Sequence, residues 1–203
     1  RQDLHRHTLG CIFNLVDLHL YMGNPALALP LSEECLRGHQ QTLGEEHAHT
    51  LKAMGLLSDV HDDMDNHGEA LPLARRVLEA QRRTLGNEHD ETQISINRVA
   101  VILSRMGDKE GALPLFEEHL RLSRRTNGSE HPRTLHSIIN LGRTYFQLGR
   151  FGEGLPLLRE AVAGMRKVLG EGDPETQRAI EDLENCEATA DDDDDNQEEE
   201  EEE

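Results

Sequence analysis

The sequence predicts an all-α solenoid of antiparallel helix pairs, and three observations carry that prediction. Pro30, Pro72, Pro114 and Pro156 are spaced 42 residues apart, each inside a Leu-Pro-Leu triplet. The same interval links His5, His47, His89 and His131, with Asp173 in the fifth place, and also Thr8, Thr50, Thr92, Thr134 and Thr176. Each period divides at a glycine, or at Asp65 in its place, into two stretches with apolar residues at helical spacing. A fixed period of this length marks a solenoid, whose units bury their apolar faces only against their neighbours.

The elements follow in order. Repeats are expected at about 5–46, 47–88, 89–130 and 131–172, with a closing helix at 173–188 and a disordered acidic tail at 189–203. First helices are expected near 5–22, 47–64, 89–106 and 131–148. In the fourth, Leu135, Ile138, Leu141, Gly142 and Tyr145 form a stripe at steps of three and four. Gly23, Gly107 and Gly149 break the runs, with Asp65 standing in for the missing glycine. Second helices are expected near 26–42, 68–84, 110–126 and 151–168. Leu71, Ala74, Val77, Leu78 and Gln81 share a face in the second repeat, and Leu155, Leu158, Ala161, Val162 and Met165 share one in the fourth. Gly86 and Gly170 sit where C-caps belong. Each proline falls near the end of a second helix's first turn, where a missing N–H costs at most about one hydrogen bond. The closing helix keeps Ile180 and Leu183 on one side and is otherwise polar, as an end cap must be.

Composition narrows the function classes. The chain has 203 residues, 35% hydrophobic and without tryptophan, thin for one globular core and sufficient for local packing. Net charge is −19; the last thirteen residues hold eleven of the acids, which leaves residues 1–190 at −8. That balance excludes a nucleic-acid binder. Cys11, Cys35 and Cys186 are odd in number and follow no pairing motif, which suits a reducing, cytoplasmic setting. No run approaches the length of a transmembrane helix and no signal peptide is visible, so no membrane partner is expected. The chain starts at Arg1, and a longer array is expected to contain it.

Helix pairs joined by a short glycine turn resemble a tetratricopeptide array. The usual unit there is about 34 residues, and the additional ones here carry Leu43-Gly44-Glu45-Glu46-His47 and Leu85-Gly86-Asn87-Glu88-His89. With His131-Pro132, Asn140-Leu141 and Asp173-Pro174, this longer form is similar to the repeats of kinesin light chains. The resemblance implies a right-handed superhelix whose first helices line a concave groove for peptide segments of protein partners. It also implies a scaffold, with cargo recruitment as one expected role.

Enzyme chemistry and cofactors are not expected. No phosphate loop, nucleophile elbow or Cys–His pairing occurs, and the glycines are read as turn residues. The repeating histidines should lie about 10 Å apart, one helix spacing, too far to share a metal. They are read as residues that cap or pack at helix starts. Glu33–Arg37, Glu79–Arg83 and Glu117–Arg121 are read as i,i+4 pairs on a solvated outer face.

The candidate groove residues lie opposite the apolar stripe of the first helices: Asn14, then Lys52, Asp59 and Asp63, then Arg98 and Arg105, then His136, Asn140, Arg143 and Gln147. Asp17 occupies the same stripe in the first repeat. The stripe turns from acidic to basic along the chain, so its arginines are expected to prefer acidic peptides. The acidic tail is expected to reach that basic half in a loose intramolecular contact. The competing expectation is an acidic-tail chaperone or mimic that binds basic proteins, with the array as platform.

Overall fold

Leu135, Ile138 and Leu141 recur at helical spacing, and all three are buried. The same rule builds every element. The structure is a computed structural model that describes the backbone of residues 2–201 and the side chains of residues 9–190. Those residues form nine helices and no strand: α1 (Gln2–Tyr21), α2 (Pro25–Leu43), α3 (Ala48–Asp63), α4 (His67–Leu85), α5 (Asp90–Arg105), α6 (Lys109–Asn127), α7 (Pro132–Gln147), α8 (Phe151–Val168) and α9 (Pro174–Glu201). From α2 onward both kinds of helix restart every 42 residues. α9 runs past residue 188, where the sequence ends the closing helix, to Glu201. The backbone of residues 189–201 is thus helical where the sequence suggested a disordered tail; the expected contact of the tail with the groove concerns side chains outside the described residues.

The chain divides into two compact units, residues 1–107 and 108–203. In the first, α3 is packed between α2 and α4. Leu51, Met54 and Leu57 of α3 share a core with Cys35 and Leu36 of α2 and Val77 and Ala80 of α4. First helices also touch one another, α1 with α3 and α3 with α5. In the second unit, α7 lies between α6 and α8, and α9 packs on α8.

Three of the repeating histidines, His47, His89 and His131, are helix caps. Nδ1 of His47, His89 and His131 each accepts the N–H of the second residue on, at 3.2 Å in all three cases. Asp173 does the same for Glu175 at 2.9 Å. An N-cap acceptor satisfies one of the N–H groups that a helix start leaves without a partner.

Two sequence expectations need correction. The prolines sit five residues beyond the first residue of each second helix, in the second turn. Each therefore removes a real i→i−4 bond. The cost is contained because the prolines and the residues four before them are exposed, so water can reach the carbonyls released. The glycines are also more than turn residues. Seven do adopt positive φ at turns, and Asp65 joins them at φ 58°. Gly142 and Gly154, however, lie inside α7 and α8 where the two backbones meet. A Cβ on Gly154 would stand 2.8 Å from the Gly142 carbonyl oxygen. In the first unit the corresponding crossing holds Ser58 of α3, whose hydroxyl donates to the Ala70 carbonyl of α4 at 2.9 Å.

Candidate partner-binding face

In the first unit the polar stripes of α1, α3 and α5 are brought side by side by the contacts between first helices. Arg98 of α5 clasps Asp59 of α3 with two parallel bonds, Nε to Oδ1 at 2.5 Å and Nη2 to Oδ2 at 2.9 Å. Gly55, one turn before Asp59, makes room for it: a Cβ there would lie 2.9 Å from Nη1 of Arg98. Arg105 donates to Asp62 at 2.7 Å and stands 3.5 Å from Asp63. Lys52 Nζ lies 3.4 Å from Glu91. Asp62 is nearly buried, and desolvation pushes its carboxyl above the usual range, with Arg105 and then His67, 2.9 Å away, pulling the other way.

The second unit repeats the scheme, with the signs exchanged at the arginine rung and kept at the His136 rung. Arg143 of α7 bonds the carboxylate of Asp182 on α9, and His136 Nε2 is 3.4 Å from Glu175. Asn140 is half-buried between them and Gln147 is exposed. Nearby, the Tyr145 hydroxyl donates to Glu117 at 2.6 Å, which pushes the phenol up to about 12.

Arg98, Arg105 and Arg143 are thus engaged with carboxylates of neighbouring first helices, where the sequence suggested cations open to a ligand. The reason is an offset. Asp59 with Arg98, and Arg143 with Asp182, are 39 residues apart, and so are Lys52 with Glu91 and His136 with Glu175. That is one repeat less one residue step of three, which sets a side chain beside the next first helix one turn early. Glu91, Glu175 and Asp182 were missed as members of the stripe, although opposite charges at this offset mark them. On second helices, Arg83 reaches Glu46 in the turn before α3 at 2.6 Å, and Glu117 receives the hydroxyl of Tyr145 on α7.

One part of the face is open. Asn14 and Lys52 line a cavity of about 520 Å³ with Cys11, Phe13, His39 and His49. His39 and His49 stack with ring centres 6.0 Å apart. The Asn14 carboxamide, which can donate and accept at once, has no partner among the described residues. No group of three His, Cys, Asp or Glu among those residues could hold a metal ion. No described helix is long and apolar enough to cross a membrane.

Comparison with known proteins agrees with this geometry. The family model for the tetratricopeptide repeat matches residues 8–83, 63–125 and 91–167. The chain belongs to the tetratricopeptide repeat family. No curated protein matches it. Among solved structures, this tetratricopeptide array is similar to the nearly identical TPR-like repeats of a putative kinesin light chain from Podosopora anserina. Identity is 25%, with 90% of this chain and 96% of that one covered, at a TM-score of 0.73. BtubC (BKLC) from P. vanneervenii aligns at 21% identity over 89% of this chain and 76% of its own, with a TM-score of 0.70. A Rap protein complexed with Competence and Sporulation Factor aligns at 13% over 91% and 55%, with a TM-score of 0.69. These last two share the fold alone. As a tetratricopeptide repeat, the chain has the architecture of a protein–protein interaction scaffold.

Proposed function

We propose that this tetratricopeptide array is a non-enzymatic adaptor that holds an extended peptide segment of a protein partner on its first-helix face. The observation that carries the reading is the open cavity at Asn14 and Lys52, on a face where Arg98 and Arg105 are engaged with carboxylates of the neighbouring first helix. An extended segment presents unpaired backbone N–H and C=O groups, and a carboxamide answers both. The likeness to putative kinesin light chain repeats supports a cargo-adaptor role in the cytoplasm. The free thiols of Cys11, Cys35 and Cys186 suit that compartment. Acidic peptides remain candidate ligands where a carboxylate can reach Lys52.

The run Asp191–Asp195 and Glu198–Glu203 supports a second reading, in which the tail binds basic proteins or folds back loosely on the array. A peptide array probed with the whole chain tests the first reading. A hit is then measured by calorimetry against the double variant Asn14→Ala, Lys52→Ala, with Arg166→Ala on a second helix as control. Loss of about tenfold or more in the double variant alone supports the groove. Unchanged affinity there, with binding that disappears at high salt and on deletion of residues 191–203, moves the function to the tail.

A further inference from the structure

The open cavity at Asn14 and Lys52 has a counterpart one repeat on. A second cavity, of about 420 Å³, is lined by Lys52, Gln81 and Glu91, the residues 42 places after Gly10, His39 and His49 of the first. The two are therefore the same recess in successive repeats. The first is lined from α1, α2 and α3, and the second from α3, α4 and α5. His49 and Lys52, one turn apart on α3, belong to both and form the wall between them. Both recesses lie within the first unit.

Their linings differ in chemistry. The first holds the Lys52 ammonium, the imidazoles of His39 and His49 and the Asn14 carboxamide, with no carboxylate among the described residues. Lys52 has three donors and is 54% exposed, so it can take a second carboxylate while it keeps Glu91 at 3.4 Å. The second recess holds Ala48, Leu51 and Leu85, and Leu85 is 44% exposed, an apolar side chain that gains from being covered. Neighbouring first helices are about 10 Å apart, the spacing of packed helices. A segment in the polyproline II conformation has three residues per turn and rises about 3.1 Å per residue, so residues i and i+3 point the same way about 9 Å apart. We propose that the two recesses read one partner segment together, with a carboxylate side chain in the first and an aliphatic side chain three residues away in the second. The inference rests on the groove reading above and names two residues of its ligand and their spacing.

The test uses the whole chain and short peptides in which glutamate and leucine are separated by two prolines, made in both orders so that either chain direction is sampled. Amide shifts of residues 10–14, 49–52 and 81–91 are followed by NMR titration at low salt. The expected result is saturable shifts at both recesses with one order. Binding should weaken about fivefold when glutamate becomes glutamine, when leucine becomes alanine, or when one proline is removed. Leu85→Asn should weaken the leucine peptide about fivefold and leave its alanine counterpart unchanged. That variant is structurally mild, since Asn127 already stands at the end of α6 before Gly128, as Leu85 stands at the end of α4 before Gly86. No saturable shifts with either order, shifts confined to the first recess, or equal affinity of the leucine and alanine peptides overturns the tandem site. If an array hit loses affinity in the Asn14→Ala, Lys52→Ala variant and keeps it in Leu85→Asn, the groove reading stands and the tandem site falls.

Discussion

Asp59 and Arg98 lie 39 residues apart in the chain and join α3 to α5 by a two-pronged ion pair, with the arginine side chain only 17% exposed. Such a pair differs from a surface bridge. Its guanidinium is largely withdrawn from water over Gly55, so removing the carboxylate leaves a poorly hydrated cation.

The first prediction follows from that burial. Asp59→Ala should cost about 1–3 kcal/mol, the range for hydrogen bonds to charged groups. In a double-mutant cycle with Arg98→Ala, most of that should appear as coupling. The exposed pair Arg83–Glu46, with side chains 59% and 68% exposed, should show about 0–1 kcal/mol in the same cycle. Urea unfolding of the variants measures both, and equal coupling energies would contradict the assignment.

Sequence reading located the helices because each start carries a local signal: a capping histidine or Asp173, a glycine in a left-handed turn, and apolar residues three and four apart. Those signals act within one turn, so they survive without knowledge of neighbours. Partners across helices were not legible in the same way. Arg98 and Arg143 looked like free cations because their carboxylates sit almost a full repeat away, and only the spacing of adjacent first helices brings them together. Gly142 and Gly154 were hidden for a related reason, since a close backbone crossing leaves no mark on either helix alone. The prolines misled by one turn, because exposure of the released carbonyls tolerates a position that a buried helix could not.

The crossing at Gly142 and Gly154 gives the second prediction. Gly154→Ala adds a methyl 2.8 Å from a backbone oxygen and 3.1 Å from the Phe146 nitrogen, and neither atom can move without its helix. Alanine's higher helix propensity favours the change by about 1 kcal/mol. Overpacking against backbone opposes it by about 1–3 kcal/mol, so a net loss is expected. Gly152→Ala meets no atom within 4 Å and should be neutral or stabilising. Thermal melts of the two variants separate the effects; a stabilised Gly154→Ala sinks this account of the crossing.

The capping histidines give the third. His89→Ala should destabilise by about 1 kcal/mol, the usual cost of losing an N-cap acceptor. His89→Asp should restore most of the loss, since Asp173 already performs that task at the start of α9. Denaturant midpoints of the three proteins check this. If the aspartate variant is no better than the alanine one, the imidazole contributes through packing instead.

The fourth prediction concerns His119, on α6. It occupies the place that Val77 holds one repeat earlier, so a titratable ring sits where the pattern calls for an apolar side chain. Its Nδ1 lies 3.0 Å from the Ser137 hydroxyl of α7, and burial lowers its pKa to about 4 from 6.5. The charged form is therefore disfavoured in the folded state. Between pH 6.5 and about 4 the unfolded chain binds this proton and the folded chain does not, so stability falls as pH falls through that window. The loss is complete below the folded value and amounts to on the order of 3 kcal/mol. His119→Val removes the titrating group while keeping an apolar side chain of the kind Val77 supplies. Urea unfolding of both proteins from neutral pH down to the acid side should show the wild type losing stability relative to the variant, beginning near pH 6.5. Parallel curves for the two proteins would mean that His119 is hydrated and protonates in the folded state as readily as in the unfolded one.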